Sequence, residues 1–331
     1  MVAIHVSSLL VYLAALVAVV DAVPDKRADS FPDFVLKYAP LSYLHSDEQY
    51  WPTDVAVHLP KVIPEVNFTP VGPPPTLQTL SSFANNVYLT AVEDVIAHDT
   101  EFFRSTVGKP VNNFSTAPAT VIVVEKPGGI TDAFFFYFYS FNLGGTVLGR
   151  RFGNHVGDWE HTMVRFVNGA PDVVYYSEHS GGAAYNYSAV EKIGARPVSY
   201  IATGTHANYA TSGDHTYEQM PLGNSTDQTN QGPIWDVTKN FRGFWYTMSN
   251  GAVSLAPGAG TGGALEVSEG PSWLDFGGYW GDQKWPTTKP GQYCEGDQCL
   301  VNDGPTGPLS KNLGRTAPCQ NESPCIVQNS L

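Results

Sequence analysis

Seven residues, His155-Val-Gly-Asp158-Trp159-Glu160-His161, bring two carboxylates and two imidazoles together in a chain otherwise poor in charge. Side chains on an extended backbone alternate between faces. A strand from Asp158 to Phe166 therefore puts Asp158 and Glu160 on one face, and Trp159 and His161 on the other. His155 sits in the preceding turn, flanked by Gly153 and Gly157, and can fold back over the carboxylates. Oxygen ligands with one imidazole suit a hard divalent cation, calcium or magnesium. Val164 and Phe166 continue the carboxylate face, so that face becomes core further along. Carboxylates at its mouth need a metal, a cationic side chain or hydrogen-bond donors. The plainer alternative is a polar network with backbone or with Arg150, Arg151 or Arg165.

Two more histidines stand at strand ends beside glycines, His179 in Glu178-His-Ser-Gly-Gly182 and His206 in Gly204-Thr-His-Ala207. Rigid β-scaffolds present site-forming loops at such ends. A pocket holding a metal at His155, Asp158 and Glu160, lined by Asn142, His161, His179 and His206, is the reading these positions support. Asp282, in Trp280-Gly-Asp282, and Asp214-His215 are read as structural. There is no G-x-S-x-G, H-E-x-x-H or G-x-x-x-x-G-K-[ST], which sets aside the hydrolase elbow, zincin and phosphate-loop chemistries.

The elements that must carry this pocket read as β. Strands are expected at Ala119–Glu125, Ala133–Phe141, Asp158–Phe166, Asp172–Ser177 and Pro197–Thr203, the first two joined by a hairpin at Lys126-Pro-Gly-Gly129. The near-continuous aromatic run of the second (AFFFYFYSF) predicts burial on both faces. Pro-rich Ile63–Thr76 reads as a loop or extended linker, Leu77–Phe83 as a short helix, and Pro257–Gly263 as a flexible loop. The fold class is an all-β sandwich with Gly/Pro-rich loops, few short helices and a disulfide-stapled C-terminal segment.

Residues 1–22 have the apolar run of a signal peptide, too short for a membrane span of roughly 20 residues. Lys26-Arg27 reads as a dibasic processing site, making 23–27 a propeptide and 28–331 one β-sandwich domain with a loop-rich C-terminal extension. Secretion is expected, with the vacuole as the alternative destination. Asn67, Asn113, Asn186 and Asn224 each open a glycosylation sequon, with a weaker one at Asn321. Cys294, Cys299, Cys319 and Cys325 are expected to form two disulfides in one of three connectivities. The net charge of −13 and the absence of a basic patch argue against nucleic acid and against electrostatic membrane attachment.

The run Gly153–His161, with His179-Ser-Gly-Gly182 and Gly204-Thr-His-Ala-Asn-Tyr209, resembles the fungal vacuolar protein sorting-associated protein 62 family. Tyr38-Ala-Pro40, Asp47-Glu48, Trp280-Gly-Asp282 and Gly304-Pro-Thr-Gly-Pro308 extend the resemblance over about residues 34 to 315. It implies secretory or vacuolar traffic. A more distant resemblance is to the necrosis- and ethylene-inducing peptide-like proteins, whose G-H-R-H-D-W-E heptapeptide precedes a His-Gly-Gly turn and a Thr-His segment. That likeness implies a β-sandwich holding a divalent cation and binding a sphingolipid head group. It puts His155, Asp158 and Glu160 at the ion and His179 and His206 at the later histidines. Asn154 and Gly157 differ from that heptapeptide, and Asn142 stands near an expected acidic ligand. Three functions follow: a cation-dependent binder of a glycan or lipid head group, a metal-assisted hydrolase or lyase using His161 or His179, and a structural secreted protein with a sorting role.

Overall fold

A computed structural model describes residues 31–220, 223–256, 270–321 and 323–331. The leader, Lys26-Arg27 and the Pro257–Gly263 cluster lie outside the described residues.

The β-branched and aromatic runs form two packed sheets. The larger has eight strands in the order 253–255, 241–246, 119–126, 130–142, 155–167, 170–178, 181–186 and 327–328. Neighbours are antiparallel except 241–246 beside 119–126 and 327–328 beside 181–186. A five-stranded sheet built on 41–44 and 196–201 lies against one face, with 192–193, 208–209 and 234–236 completing it. On the other face pack long connecting segments, through residues such as Leu59, Leu80, Trp273, Trp280 and Leu313.

Both faces of the large sheet are thus core, which explains the aromatic run. Phe134, Phe136 and Phe138 enter one core, and Phe135, Tyr137 and Tyr139 the other. Each such burial stabilises by roughly 1.5–3 kcal/mol. The hairpin at Lys126–Gly129 turns through Gly128 and Gly129, both at positive φ (81° and 73°).

All five expected strands are present, most of them longer by a residue or more at the ends: 119–126, 130–142, 155–167, 170–178 and 196–201. Leu77–Phe83 is not an α-helix but carries a 3₁₀ turn at Leu80–Ser82. The Thr79 hydroxyl accepts from the Thr76 N–H at 2.9 Å, as in a capping box, but the backbone bonds that follow are mostly i→i−3 and end at Phe83. The Pro-rich stretch is not all loop, since Val62–Val66 pairs with Tyr88–Ala91. Pro64 contributes no donor there, yet its carbonyl still accepts from Val71. The disulfides are Cys294–Cys299 and Cys319–Cys325. Asn67, Asn113 and Asn224 are exposed, whereas Asn186 is half-buried and its amide donates to Asn329 of the C-terminal tail.

Asp282 is structural, as its sequence context implied. It is 3% exposed, its Oδ2 accepts from the Ala91 N–H at 3.0 Å, and burial pushes its pKa up to about 6. A carboxyl whose folded pKa is raised binds more protons in the fold, so its stability contribution falls as pH rises from about 4 to about 6. Asp282→Asn keeps the acceptor without the charge. It is expected to gain roughly 3 kcal/mol over wild type at pH 7 and nothing near pH 4, measured by urea unfolding at both.

Candidate functional site

The strand His155–Val167 runs antiparallel to Ile130–Asn142 with Tyr139 opposite Asp158, Tyr137 opposite Glu160 and Asn142 opposite His155. Alternation then divides the motif. Trp159 joins the core beneath the connecting segments, and His161 lies on that side, against Phe134 and Phe136. Asp158 and Glu160 point to the opposite face, at the base of an open polar cleft of about 780 Å³. Asn142, His155, His179 and Lys311 also line it.

Gly157 makes the bend possible. Its φ is +64°, and a Cβ there would lie 2.2 Å from the Trp280 carbonyl oxygen. No side chain fits, which accounts for a glycine at this place in the motif. The bend brings the His155 ring back so that Nδ1 lies 2.7 Å from the Gly157 carbonyl. A carbonyl only accepts, so Nδ1 carries the proton and Nε2 keeps its lone pair. Burial lowers the pKa of His155, with the Asp158 charge opposing, so the ring is neutral.

Asp158 Oδ2 lies 3.0 Å from His206 Nδ1. His206 is fully buried, its ring lies flat on Tyr139 at 3.6 Å, and its Nε2 meets the Tyr50 carbonyl at 3.0 Å. Glu48 Oε2 stands 3.9 Å from that Nε2. Three backbone N–H groups hold Glu48, those of Gln49, Tyr50 and Gly204, at 2.7–2.9 Å. Glu160 accepts from the Ser177 hydroxyl. Burial, then the Asp158 charge, pushes its pKa well above the carboxylate range, while Lys311 opposes.

A second pair lies across the cleft. His179 Nε2 is 2.8 Å from Asp227 Oδ2, and Asp227, 2% exposed, also accepts from Thr205 Oγ1 (2.6 Å) and Tyr209 OH (2.7 Å). His179 stacks near Tyr217 at 3.9 Å. Both His179 and His206 adopt positive φ, 56° and 57°. Such backbone costs about 1 kcal/mol or more and persists only where the surroundings hold it.

The structure thus brings Asn142, His155, Asp158, Glu160 and His179 to one cleft. Two expected wall residues are not in it. His206 lies behind Asp158 as its buried partner. His161 is on the far face, fully buried against Phe134 and Phe136, and burial followed by the Arg315 charge holds its pKa well below the usual range. The same alternation that puts the carboxylates in the cleft keeps His161 out. Arg165, an alternative partner for the acids, binds Asp132 instead. Among the described residues, no three His, Cys, Asp or Glu side chains are grouped as a ready metal site. Glu48, Asp227 and Lys311 went unread as site residues. Asp227 was within reach of a period-two reading of Asn224-Ser-Thr-Asp-Gln-Thr229, where buried Ser225, Asp227 and Thr229 alternate with more open neighbours.

Fold and site together define an all-β sandwich with an acidic, histidine-rich cleft at the end of its central strands. The chain belongs to the vacuolar protein sorting-associated protein 62 family, whose profile matches residues 117–283. Vacuolar protein sorting-associated protein 62 of Saccharomyces cerevisiae is 33% identical over 341 residues, covering 89% of this chain and 69% of that protein. The sorting-associated protein TDA6 of the same yeast is 35% identical over 351 residues, covering 90% and 71%. Among solved structures, Necrosis and Ethylene inducing Protein 2 from the agent of cocoa's Witches Broom disease aligns at 14% identity. It covers 67% of this chain and 76% of that one with a TM-score of 0.29, too low to bear on the site.

Proposed function

We propose that the protein binds a polyhydroxylated head group, glycan or glycolipid, in the cleft, with a divalent cation held by Asp158, Glu160 and His155. The observation that carries this reading is that His155, with Nδ1 tied to a carbonyl and Nε2 left as the basic nitrogen, lines the same cleft as the Asp158 and Glu160 carboxylates. Tying the other ring nitrogen to a carbonyl is how metal-binding histidines are oriented. Asp158 and Glu160 each spend one oxygen on a neighbour, leaving the other for a ligand. A bound cation would supply positive charge to head-group oxygens and favour the ionised form of Glu160. Asn142 and His179 would hydrogen-bond the hydroxyls. The names of the yeast relatives and the two disulfides support a route through the secretory pathway, to the vacuole or outside the cell.

Glu160→Gln tests this cleanly, because the amide keeps the shape of the side chain and an acceptor for the Ser177 hydroxyl while removing the charge a cation would need. Its stability is expected within about 1 kcal/mol of wild type. Calorimetric titration of the metal-free protein with calcium or magnesium should give heat for wild type and none for Glu160→Gln. At 100 times Kd the ion should stabilise wild type by about 2.7 kcal/mol. No heat and an unchanged Tm in wild type would overturn the reading. The His179–Asp227 pair favours a second reading, metal-assisted hydrolysis, since a carboxylate-oriented histidine in a cleft is the arrangement of a general base. Turnover of a glycan or lipid panel would decide for it.

A further inference from the structure

Across the Gly223–Thr229 strand from the main cleft lies a second polar pocket of about 290 Å³. It is below the roughly 300–1,000 Å³ that drug-sized ligands fill, and suits a single sugar ring. Asn224 and Thr226, the first and third residues of a glycosylation sequon, both line it. They are two residues apart on an extended strand, on either side of buried Ser225, which lines the main cleft, while Asp227 and Gln228 line this pocket beside them. The amide that would carry a glycan is therefore itself part of the pocket rim.

We propose that this pocket holds the innermost N-acetylglucosamine of a glycan on Asn224, an intramolecular ligand packed against the hairpin that also walls the main cleft. The lining supplies the chemistry. Asp47 offers an acceptor for sugar hydroxyls, and Thr203 and Gln228 offer hydroxyl and amide groups for hydroxyls and the acetamide. Arg151 is exposed and its contact with the Gly144 carbonyl is long, at 3.4 Å, so guanidinium donors remain for the sugar. The sites at Asn67 and Asn113 are exposed in turns at positive φ and do not line this pocket, which makes them internal references.

The proposal rests on the secretory route proposed above, and one experiment separates the two. The full chain is produced through the secretory pathway of a yeast host that adds high-mannose glycans. Native protein is treated with an endoglycosidase, and release is followed site by site by mass spectrometry. The Asn224 glycan is expected to leave at least about tenfold more slowly than those at Asn67 and Asn113. Arg151→Ala, a change at an exposed residue, should bring its release close to the reference rate. Occupied Asn67 and Asn113 with an empty Asn224, or equal release at all three, overturns the proposal alone. Empty sequons throughout overturn the secretory route and the proposal with it.

Discussion

Asp158→Ala is expected to lose about 3–5 kcal/mol of stability, a fall in Tm on the order of 10 °C. The cause lies behind the cleft. The Tyr50 carbonyl only accepts, so His206 Nε2 carries a proton. The 3.0 Å contact between Nδ1 and Asp158 then needs a second, shared proton. Truncation leaves that nitrogen facing a void beneath the Tyr139 ring, with Glu48 fixed nearby by three backbone donors. A buried polar group with no partner costs more than the hydrogen bond it lost. Asp158→Asn keeps the volume, and its amide can donate to Nδ1, so it should recover more than half of the deficit. Urea unfolding of the three proteins measures this. An alanine variant as stable as wild type would show that His206 finds another partner.

The consequence for function is that Asp158 serves two roles, and a loss of binding in Asp158→Ala would not separate them. Glu160 is the better probe, because burial already shifts its carboxyl toward the neutral form and its partner is a hydroxyl rather than a buried imidazole. Two carboxylates two residues apart on one strand thus have different standing, one held by a buried imidazole and the other by a hydroxyl.

Alternation made the placement of Asp158 and Glu160 legible, because the period of a strand is local and the hydrophobic residues that follow them fix the inward face. The aromatic run at 133–141 was legible for the same reason, since only a strand with core on both sides has no polar face. Glu48 and Asp227 were not, because each reaches the site from a segment far along the chain, and only sheet packing decides who meets whom. Asp227 also sits in a hairpin of Ser, Thr, Asn and Gln, where hydrophobic patterning is silent. His161 was misplaced in the pocket although alternation separates it from the carboxylates. The Leu77–Phe83 segment stays a short turn because its backbone bonds are mostly of the i→i−3 kind, with Leu80 N–H to the Thr76 carbonyl the i→i−4 exception, and the chain is extended again at Phe83.

Asp132→Ala is expected to cost as much as Asp158→Ala or more, far from the cleft. Arg165 grips the Asp132 carboxylate with two bonds of 2.7 Å, and Lys126 adds a third at 2.5 Å. Side-chain exposure is 0% for Asp132, 6% for Arg165 and 5% for Lys126. Both cations also bind carbonyls of the C-terminal segment, Lys126 that of Arg315 and Arg165 that of Thr316. Removing the carboxylate leaves two buried positive charges, a loss of about 3–5 kcal/mol, and loosens that segment. Burial already lowers the Lys126 pKa, and Asp132 is what opposes it. In the variant the folded pKa drops further, the fold binds fewer protons than the unfolded chain, and stability rises with pH toward the unfolded lysine value. The deficit should therefore shrink between pH 7 and pH 9 in urea unfolding. Adding Lys126→Met should recover part of it at pH 7 and flatten the slope. A deficit already flat in the single variant would mean that Lys126 swings out to water when its partner is gone.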